Sequence, residues 1–264
     1  MPANRLNRIR LGGFHGNEWA WTEGATTTSE TRPLCWLHPS VDRSPAEPVW
    51  IPDGAWGSMA GSMLLLSYGT GKVMAVLTQE VAGVLQAAVT ETGVQLPTGT
   101  MRGRFNPRDG HLYVCGLVGW SSDQPDAGGF YRVRRTNGPV RHPIGFHAAE
   151  DGIVIRFARP LSAEGAEDPA RWNVESWDYR ISARYGSAEY RRDHMEGRDT
   201  HTVLSVTVSR DQKSVFLSIP DIRPVMQFHV AMTTSFQDGG ALDNYLHGTL
   251  HELADKPAAS VLED

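Results

Sequence analysis

The sequence predicts an all-β protein, and three observations support that prediction. The 264 residues include 27 glycines and 16 prolines that follow no repeat, a composition typical of many short strands and turns. Short apolar runs recur between turn residues in the first half of the chain, and apolar and polar residues alternate along the second half. The helical signal is limited to a single turn at residues 168–171.

The first half is predicted to form a partial β-propeller. Its strands are expected at residues 34–37, 49–51, 63–68, 73–77, 84–89, 130–133 and on both sides of a turn at 106–110. Because four strands make one propeller blade, these eight make about two blades. The alternative is a small open sheet packed on the second half, with Met1 as the true start of the protein.

The turn at residues 106–110, Asn-Pro-Arg-Asp-Gly, predicts a β-hairpin. Pro107 fixes its own φ, the Asp109 side chain can accept a hydrogen bond from the nearby backbone, and Gly110 tolerates the positive φ of a hairpin return. Arg102 and Arg104 stand two residues apart on the preceding strand, so both side chains are expected on one face.

The second half is predicted to form an immunoglobulin-like β-sandwich. Two prolines and a glycine break the pattern at residues 137–143, and clean alternation follows at 153–157, 204–209, 215–219 and 226–232. One apolar face per strand is typical of antiparallel sheets that are buried on one side. The predicted division is therefore a partial propeller at 1–138, a sandwich at 139–254 and a disordered polar tail at 255–264.

Composition excludes several classes of function. A net charge of −5 argues against a general nucleic-acid surface, and no apolar run approaches the roughly 18 residues of a membrane span. The N-terminus lacks the apolar core of a secretory signal. Neither Cys35 nor Cys115 lies in a C-x-x-C-H motif, so covalent haem attachment to this chain is not expected. These cysteines could form one disulfide or remain two small buried side chains.

Three further sets of residues could bind a ligand. His247 and His251 could share zinc on a helix, but on the final strand that the pattern favours they would lie about 13 Å apart. The charged loop at 191–199 could bind calcium, although its arginines favour a solvated loop. Five aromatic residues could form a carbohydrate platform, although strand and core packing accounts for them better; they are Trp172, Trp177, Tyr179, Tyr185 and Tyr190.

The hairpin also resembles a known family. Runs of the form Pro-x-Asp-Gly-x-Leu-Tyr-Val are typical of glucose/sorbosone dehydrogenase propellers, in which an arginine seven residues before the aspartate faces a quinone. Arg102 stands seven residues before Asp109. Residues 32–140 are similar to the late blades of bacterial membrane-bound dehydrogenases or haem-binding proteins. The later segments DGIVIRFARPLS, WNVESWDYRISARYGSAEY and LHGTLHEL resemble the β-sandwich that follows the propeller in that group.

The resemblance implies the C-terminal portion of a sugar or alcohol dehydrogenase-like quinoprotein, exported to the periplasm and not catalytically complete by itself. Arg102 matches the family position and would bind the carboxylates of pyrroloquinoline quinone; Arg104 matches no family position but shares the strand face and could bind them too. The alternative is that both arginines are solvated or pair with Asp109 and Asp126. Electrons would pass to a cytochrome c domain or protein. The family's general base is a histidine on an early blade, and the surroundings of His15 do not match it, so no catalytic residue is assigned. The alternative is a non-enzymatic β module that binds carbohydrate or protein.

Overall fold

A computed structural model of the protein describes residues 3–15, 31–119, 122–182, 186–255 and 257–262. Strands account for 49% of the residues and helices for 5%, and none of the sheets is closed. The named strands pair antiparallel throughout the described residues. The prediction of an all-β protein is confirmed.

The strands of the described residues are, in chain order, β1 (Asn4–Leu6), β2 (Cys35–Leu37), β3 (Pro45–Trp50), β4 (Met63–Ser67), β5 (Lys72–Val81), β6 (Val84–Gln95), β7 (Thr100–Phe105), β8 (Leu112–Leu117), β9 (Gly128–Val133), β10 (Pro143–Ala149), β11 (Gly152–Phe157), β12 (Trp172–Tyr179), β13 (Glu189–Tyr190), β14 (Asp199–His201), β15 (Ser205–Val208), β16 (Ser214–Ser218), β17 (Val225–Ser235) and β18 (Ala241–Leu250). The other regular elements of the described residues are one helix, α1 (Ala163–Ala166), and 3-10 turns at Gly57–Met59, Pro169–Arg171 and Ala258–Leu262.

A large sheet of order β13-β12-β17-β18-β6-β5-β4-β3 runs through the molecule, with β14 also paired to β12. A four-stranded sheet of order β10-β11-β16-β15 packs on one face of the large sheet. The β1–β2 ribbon covers part of the opposite face, and a three-stranded sheet, β7-β8-β9, packs beside β3 and β4. Burial of the apolar side chains between these layers drives the assembly.

The main core lies between the four-stranded sheet and the middle of the large sheet. Its fully or nearly fully buried members alternate along their strands, as period-2 patterning requires; they include Ile153, Ile155, Phe157, Leu217, Phe228, Val230, Met232 and Leu246. The alternation predicted from sequence at 153–157 and 215–219 therefore corresponds to faces that are buried in the structure.

The β5–β6 hairpin is longer than the sequence predicts. The predicted strand ends at residue 77 because three polar residues follow, yet pairing continues to Val81 and resumes at Val84. Ala82 and Gly83 both have positive φ, the geometry of a tight two-residue hairpin turn. Polar Gln79 is accommodated because it is hydrogen-bonded to Gln86 and to the backbone of Ala148.

Two residue pairs join the first and second halves of the chain within the large sheet. Val89 of β6 pairs with His247 of β18, and Ala88 pairs with Gly248. The expected boundary at residues 137–143 falls on the connection from β9 to β10. The large sheet nevertheless contains strands of both halves, because β18 of the second half pairs with β6 of the first.

We expect Gly248→Ala to destabilise this junction by about 1–3 kcal/mol. A Cβ atom at Gly248 would lie 2.3 Å from the backbone oxygen of Ala87 and 2.6 Å from the Cα atom of Ala88, so the strands would have to separate. Urea unfolding followed by circular dichroism measures the change. Gly145→Ala is the matched control, because its Cβ would meet Arg156 no closer than 3.8 Å; equal effects in both variants would contradict the prediction.

A 3-10 turn lies within residues 255–264, the tail for which the sequence predicts disorder. The 3-10 turn Ala258–Leu262 places a fully buried Ala258 against Ala149, Val154 and Phe216. The backbone N–H of Ala258 donates to the Asp151 carboxylate at 2.6 Å. These two contacts join the turn to the four-stranded sheet, and residues 256, 263 and 264 lie outside the described part.

Both cysteines are free in the structure. Of the two alternatives, a disulfide or two separate thiols, the structure therefore has separate thiols. Cys35 is buried and Cys115 is exposed, and burial raises the pKa of the Cys35 thiol to about 12. Within the described ranges, no helix has the length and apolar character that crossing a membrane requires.

Candidate functional site

The predicted hairpin is confirmed, with β7 and β8 on either side of the turn. Gly110 has a φ of 67°, and the backbone N–H of His111 donates to Asp109 at 2.9 Å. The hydroxyl of Tyr113 donates to the same carboxylate at 2.9 Å. These hydrogen bonds lower the pKa of Asp109, and the one from His111 has the largest effect. The bond from Tyr113 also fixes that ring on the surface.

One face of the three-stranded sheet is exposed, and we call it the outer face. The strand registers place its side chains in rows across the three strands. One row is Arg104, Tyr113 and Arg132; the next is Arg102 and Cys115 followed by Phe130 of β9, with Leu117 beyond it. Arg102 and Arg104 therefore share a face, as their spacing predicts.

Two aromatic rings form a platform at the centre of the outer face. Tyr113 and Phe130 lie diagonally across β8 and β9 with ring centroids 5.7 Å apart and planes inclined by 25°. Phe130 is 71% exposed, and Leu117 beside it is 47% exposed. Exposed stacked rings on a rigid sheet are unusual enough in a folded protein to indicate a binding surface.

The arginines at the β7 edge use only some of their N–H donors in hydrogen bonds within the protein. Arg104 donates to Glu47 at 2.8 Å and is 75% exposed, and Arg102 donates to the backbone oxygen of Met101. Glu47 also accepts the Gly103 N–H at 2.9 Å; burial opposes ionisation of Glu47, but these bonds prevail and lower its pKa. Each guanidinium has five N–H donors, so both retain donors for a ligand.

The opposite, inner face of the sheet holds this platform in place. Leu112 and Val114 are completely buried against side chains of β3 and β4. Gly103 allows the close approach, since a Cβ atom there would lie 3.0 Å from a methyl group of Leu66. A site carried on such a packed sheet keeps its geometry better than a site on a loop.

The histidine pair considered in the sequence does not share a ligand. His247 lies on β18 and is buried, whereas His251 lies just beyond the strand and contacts the backbone oxygen of Pro33 at 2.7 Å. His247 instead meets His229 of β17, with the two Nδ1 atoms 3.1 Å apart. No group of three or more potential metal ligands is assembled among the described residues.

Of the five aromatic residues weighed as a carbohydrate platform, the four that the structure describes do not form one. Trp172, Trp177 and Tyr179 are buried, and the Arg180 guanidinium lies over the Tyr190 ring at 3.8 Å. Tyr185 lies outside the described residues. Sequence reasoning missed the ring pair of the outer face, which only the register between β8 and β9 reveals.

A serine, a histidine and an aspartate are also connected in the order of a hydrolase triad. Ser176 Oγ lies 2.7 Å from His201 Nε2, and His201 Nδ1 lies 3.0 Å from Asp221 Oδ1. The serine is only 3% exposed, however, and the cavity beside it measures about 10 Å³. No substrate reaches this serine, while the aspartate is the exposed member, so the arrangement is structural.

Comparison of the chain with models of protein families, with curated proteins and with solved structures gives no match. The site must therefore be interpreted from its own chemistry. The outer face offers flat apolar rings beside guanidinium groups with unused donors. These are the features of a surface that binds a ring-shaped ligand with negative charges.

Proposed function

We propose that the chain is a non-enzymatic binding module whose outer face recognises an acidic carbohydrate. The observation that carries the proposal is the stacked pair of Tyr113 and Phe130. Arg104 and Arg132 lie in the row of Tyr113, and Arg102 lies in the row of Phe130. A pyranose ring presents a flat apolar face to such a platform. Its carboxylates then lie within reach of guanidinium groups, which bind carboxylates with two parallel hydrogen bonds.

The expected affinity is modest because the surface is open. Charge-assisted hydrogen bonds contribute about 1.5–3 kcal/mol each, and association costs at least about 4 kcal/mol in lost freedom of motion. One ring contact and two arginine contacts therefore support dissociation constants between about millimolar and micromolar. Affinity should fall as salt rises, since the contacts are exposed and screened.

We expect Phe130→Ala to weaken binding of trigalacturonic acid about tenfold, because it removes half of the ring platform. Isothermal titration calorimetry measures the change. Trp50→Ala is the matched control, since Trp50 is also exposed on a strand, at 63%, but lies on β3 outside the outer face. A neutral galactose trisaccharide should bind more weakly than the acidic one.

The proposal fails if trigalacturonic acid does not bind, or if Phe130→Ala and Trp50→Ala reduce binding equally. It also fails if the double variant Arg102→Ala/Arg104→Ala binds the acidic and neutral trisaccharides with the affinities of the unchanged protein. Circular dichroism of each variant separates loss of binding from loss of fold.

A second candidate function is the C-terminal portion of a sugar or alcohol dehydrogenase-like quinoprotein. Three observations favour it. Strands β3 to β6 pair in consecutive order as a four-stranded meander, as a propeller blade does. Strands β7 to β9 form a second meander with the family-like hairpin, and β10 to β18 contribute two packed sheets, as an immunoglobulin-like sandwich does.

In this second function, Arg102 and Arg104 would hold the carboxylates of pyrroloquinoline quinone against the flat rings of Tyr113 and Phe130. The donor set fits a planar tricarboxylate, and the quinone would supply the hydride acceptor for a sugar or alcohol substrate. A cytochrome c domain or protein would receive the electrons, in the periplasm of the producing cell.

Quinone titration distinguishes the two functions. If the second is correct, pyrroloquinoline quinone should bind the chain, and Arg102→Ala should weaken that binding about tenfold. Arg171→Ala, an exposed arginine near α1, is the control. Quinone binding without binding of trigalacturonic acid would favour the quinoprotein, and the reverse result would favour the carbohydrate module.

A further inference from the structure

A second surface with a different chemistry lies behind the hairpin, and we call it the arginine groove. It consists of two adjoining cavities of about 370 and 290 Å³. They share Trp56, Arg135 and Thr136. The groove runs from the 3-10 turn Gly57–Met59, along the chain that follows β9, to the neighbouring ends of β6 and β18.

Two arginines of the groove have no acidic partner among the described residues. Within the described part of the chain, neither Arg134 nor Arg135 forms a hydrogen bond or an ion pair, whereas Arg141 at the far rim is paired with Asp238 at 3.1 Å. The Arg135 guanidinium lies over Gly57, where a Cβ atom would come within 2.3 Å of its Nη1. The missing side chain of Gly57 therefore leaves room for this cation.

The other end of the groove offers acceptors. Glu91 and Asp243 line it, and Glu91 is also paired with Lys72. His142 is 95% buried and lies with Nδ1 2.8 Å from the Pro143 carbonyl oxygen, so Nδ1 carries the proton and Nε2 remains an acceptor. A ligand with hydroxyl groups could donate to these atoms.

A fixed aromatic ring lies between the two ends. Trp56 Nε1 donates to the Gly110 carbonyl oxygen at 3.2 Å, and its ring meets Phe105 edge-on at 5.2 Å. Trp56 adopts a φ of 58°, a conformation that a bulky residue rarely takes and that the surrounding contacts must enforce. The ring is thus pre-positioned beside the arginines.

We propose that the arginine groove binds a sugar-sized polyol that carries a phosphate or sulfate ester, with the ester group held by Arg134 and Arg135. Guanidinium groups match the geometry of such oxyanions. The polyol lies along Trp56, and its hydroxyl groups donate to Glu91, Asp243 and His142. Volumes of 370 and 290 Å³ are at the lower end of small-molecule sites, which suits a monosaccharide.

Titration calorimetry with glucose 6-phosphate and glucose 6-sulfate tests this proposal, and the comparison of the two esters identifies the preferred oxyanion. At least one ester should bind, and the double variant Arg134→Ala/Arg135→Ala should weaken its binding at least about tenfold. Arg171→Ala serves as the control for a lost exposed arginine. Glucose should bind far more weakly than the esters.

The proposal is overturned if neither ester binds, or if the double variant and the control behave alike. Binding of inorganic phosphate as tight as that of glucose 6-phosphate would overturn the polyol part of it. Phe130→Ala should leave ester binding unchanged, because that ring lies on the outer face. This variant keeps failure of the groove distinguishable from failure of the carbohydrate module.

Discussion

Replacement of Trp177 by alanine is expected to lower the free energy of unfolding by about 3–5 kcal/mol. Trp177 is 1% exposed and lies on β12 beneath several polar groups. The Arg198 guanidinium lies over its ring at 4.0 Å, and the His38 ring meets it edge-on at 5.6 Å. Alanine would leave a large cavity and would also remove the ring that supports Arg198.

Urea unfolding followed by far-ultraviolet circular dichroism measures this effect. Trp50→Ala provides the matched tryptophan control, since Trp50 is 63% exposed at the β3 edge of the large sheet and should change stability by no more than about 0.5 kcal/mol. A loss below about 1 kcal/mol for Trp177→Ala would show that the layer above β12 is not packed as described.

Local patterning was sufficient to predict the all-β class and several strands, but not the sheet order. The hairpin at residues 106–110 could be predicted because the residues that form its turn are adjacent in the sequence. The β6–β18 pair joins residues about 160 positions apart. Such a pair depends on which apolar faces meet in the folded state, and no local propensity encodes it.

In the candidate site, too, the local features could be predicted from the sequence and the long-range contacts could not. The shared face of Arg102 and Arg104 follows from strand geometry alone, whereas Glu47, which binds Arg104, comes from a strand 57 residues earlier. The Tyr113–Phe130 pair was missed because the ten residues that connect β8 to β9 do not reveal the strand register from sequence. A regular hairpin connection would have revealed the register and hence the pair.

The His229–His247 contact was predictable in principle. Ser235 and Ala241 form the last pair of the β17–β18 hairpin, and each histidine lies six residues back from that pair on its own strand. Because residues equally distant from the turn face each other in an antiparallel hairpin, the two imidazoles had to meet. The spacing of His247 and His251 along one strand carries no information about this partner across the sheet.

These two histidines and His38 form a chain of hydrogen bonds that favours neutral rings. The backbone N–H of His38 donates to His247 Nε2 at 3.2 Å, so the proton of His247 resides on Nδ1. That proton points to Nδ1 of His229, and the two Nδ1 atoms are 3.1 Å apart. An added proton on either ring would place two N–H groups against each other, or one against the His38 backbone.

Acidification below pH 6.5 should therefore destabilise the protein. Burial is the leading cause that lowers the pKa of His38, His229 and His247, and the nearby Arg198 adds to it; Glu189 opposes it at His38 and Glu175 at His229. A histidine with a folded-state pKa below its unfolded value contributes full stability above about pH 6.5 and loses it as the pH falls. The loss approaches about 1.4 kcal/mol per pH unit for each histidine that gains a proton on unfolding.

Buried Asp42 acts in the opposite direction, but it is one group against five histidines, because burial also lowers the pKa of His142 and His251. Burial raises the pKa of Asp42 to about 6, so its carboxyl group binds a proton more readily in the folded state and stabilises the fold as the pH falls through 6.

Urea unfolding at pH 7.5, 6.5 and 5.5 gives the net slope of the unfolding free energy against pH. His229→Gln should flatten it, because glutamine can accept the His247 proton without titrating, whereas His194→Gln at an exposed position should not. A stability that is constant or rising from pH 7.5 to 5.5 would show that the rings of His229 and His247 are not held neutral, and the hydrogen-bond chain would then be wrong.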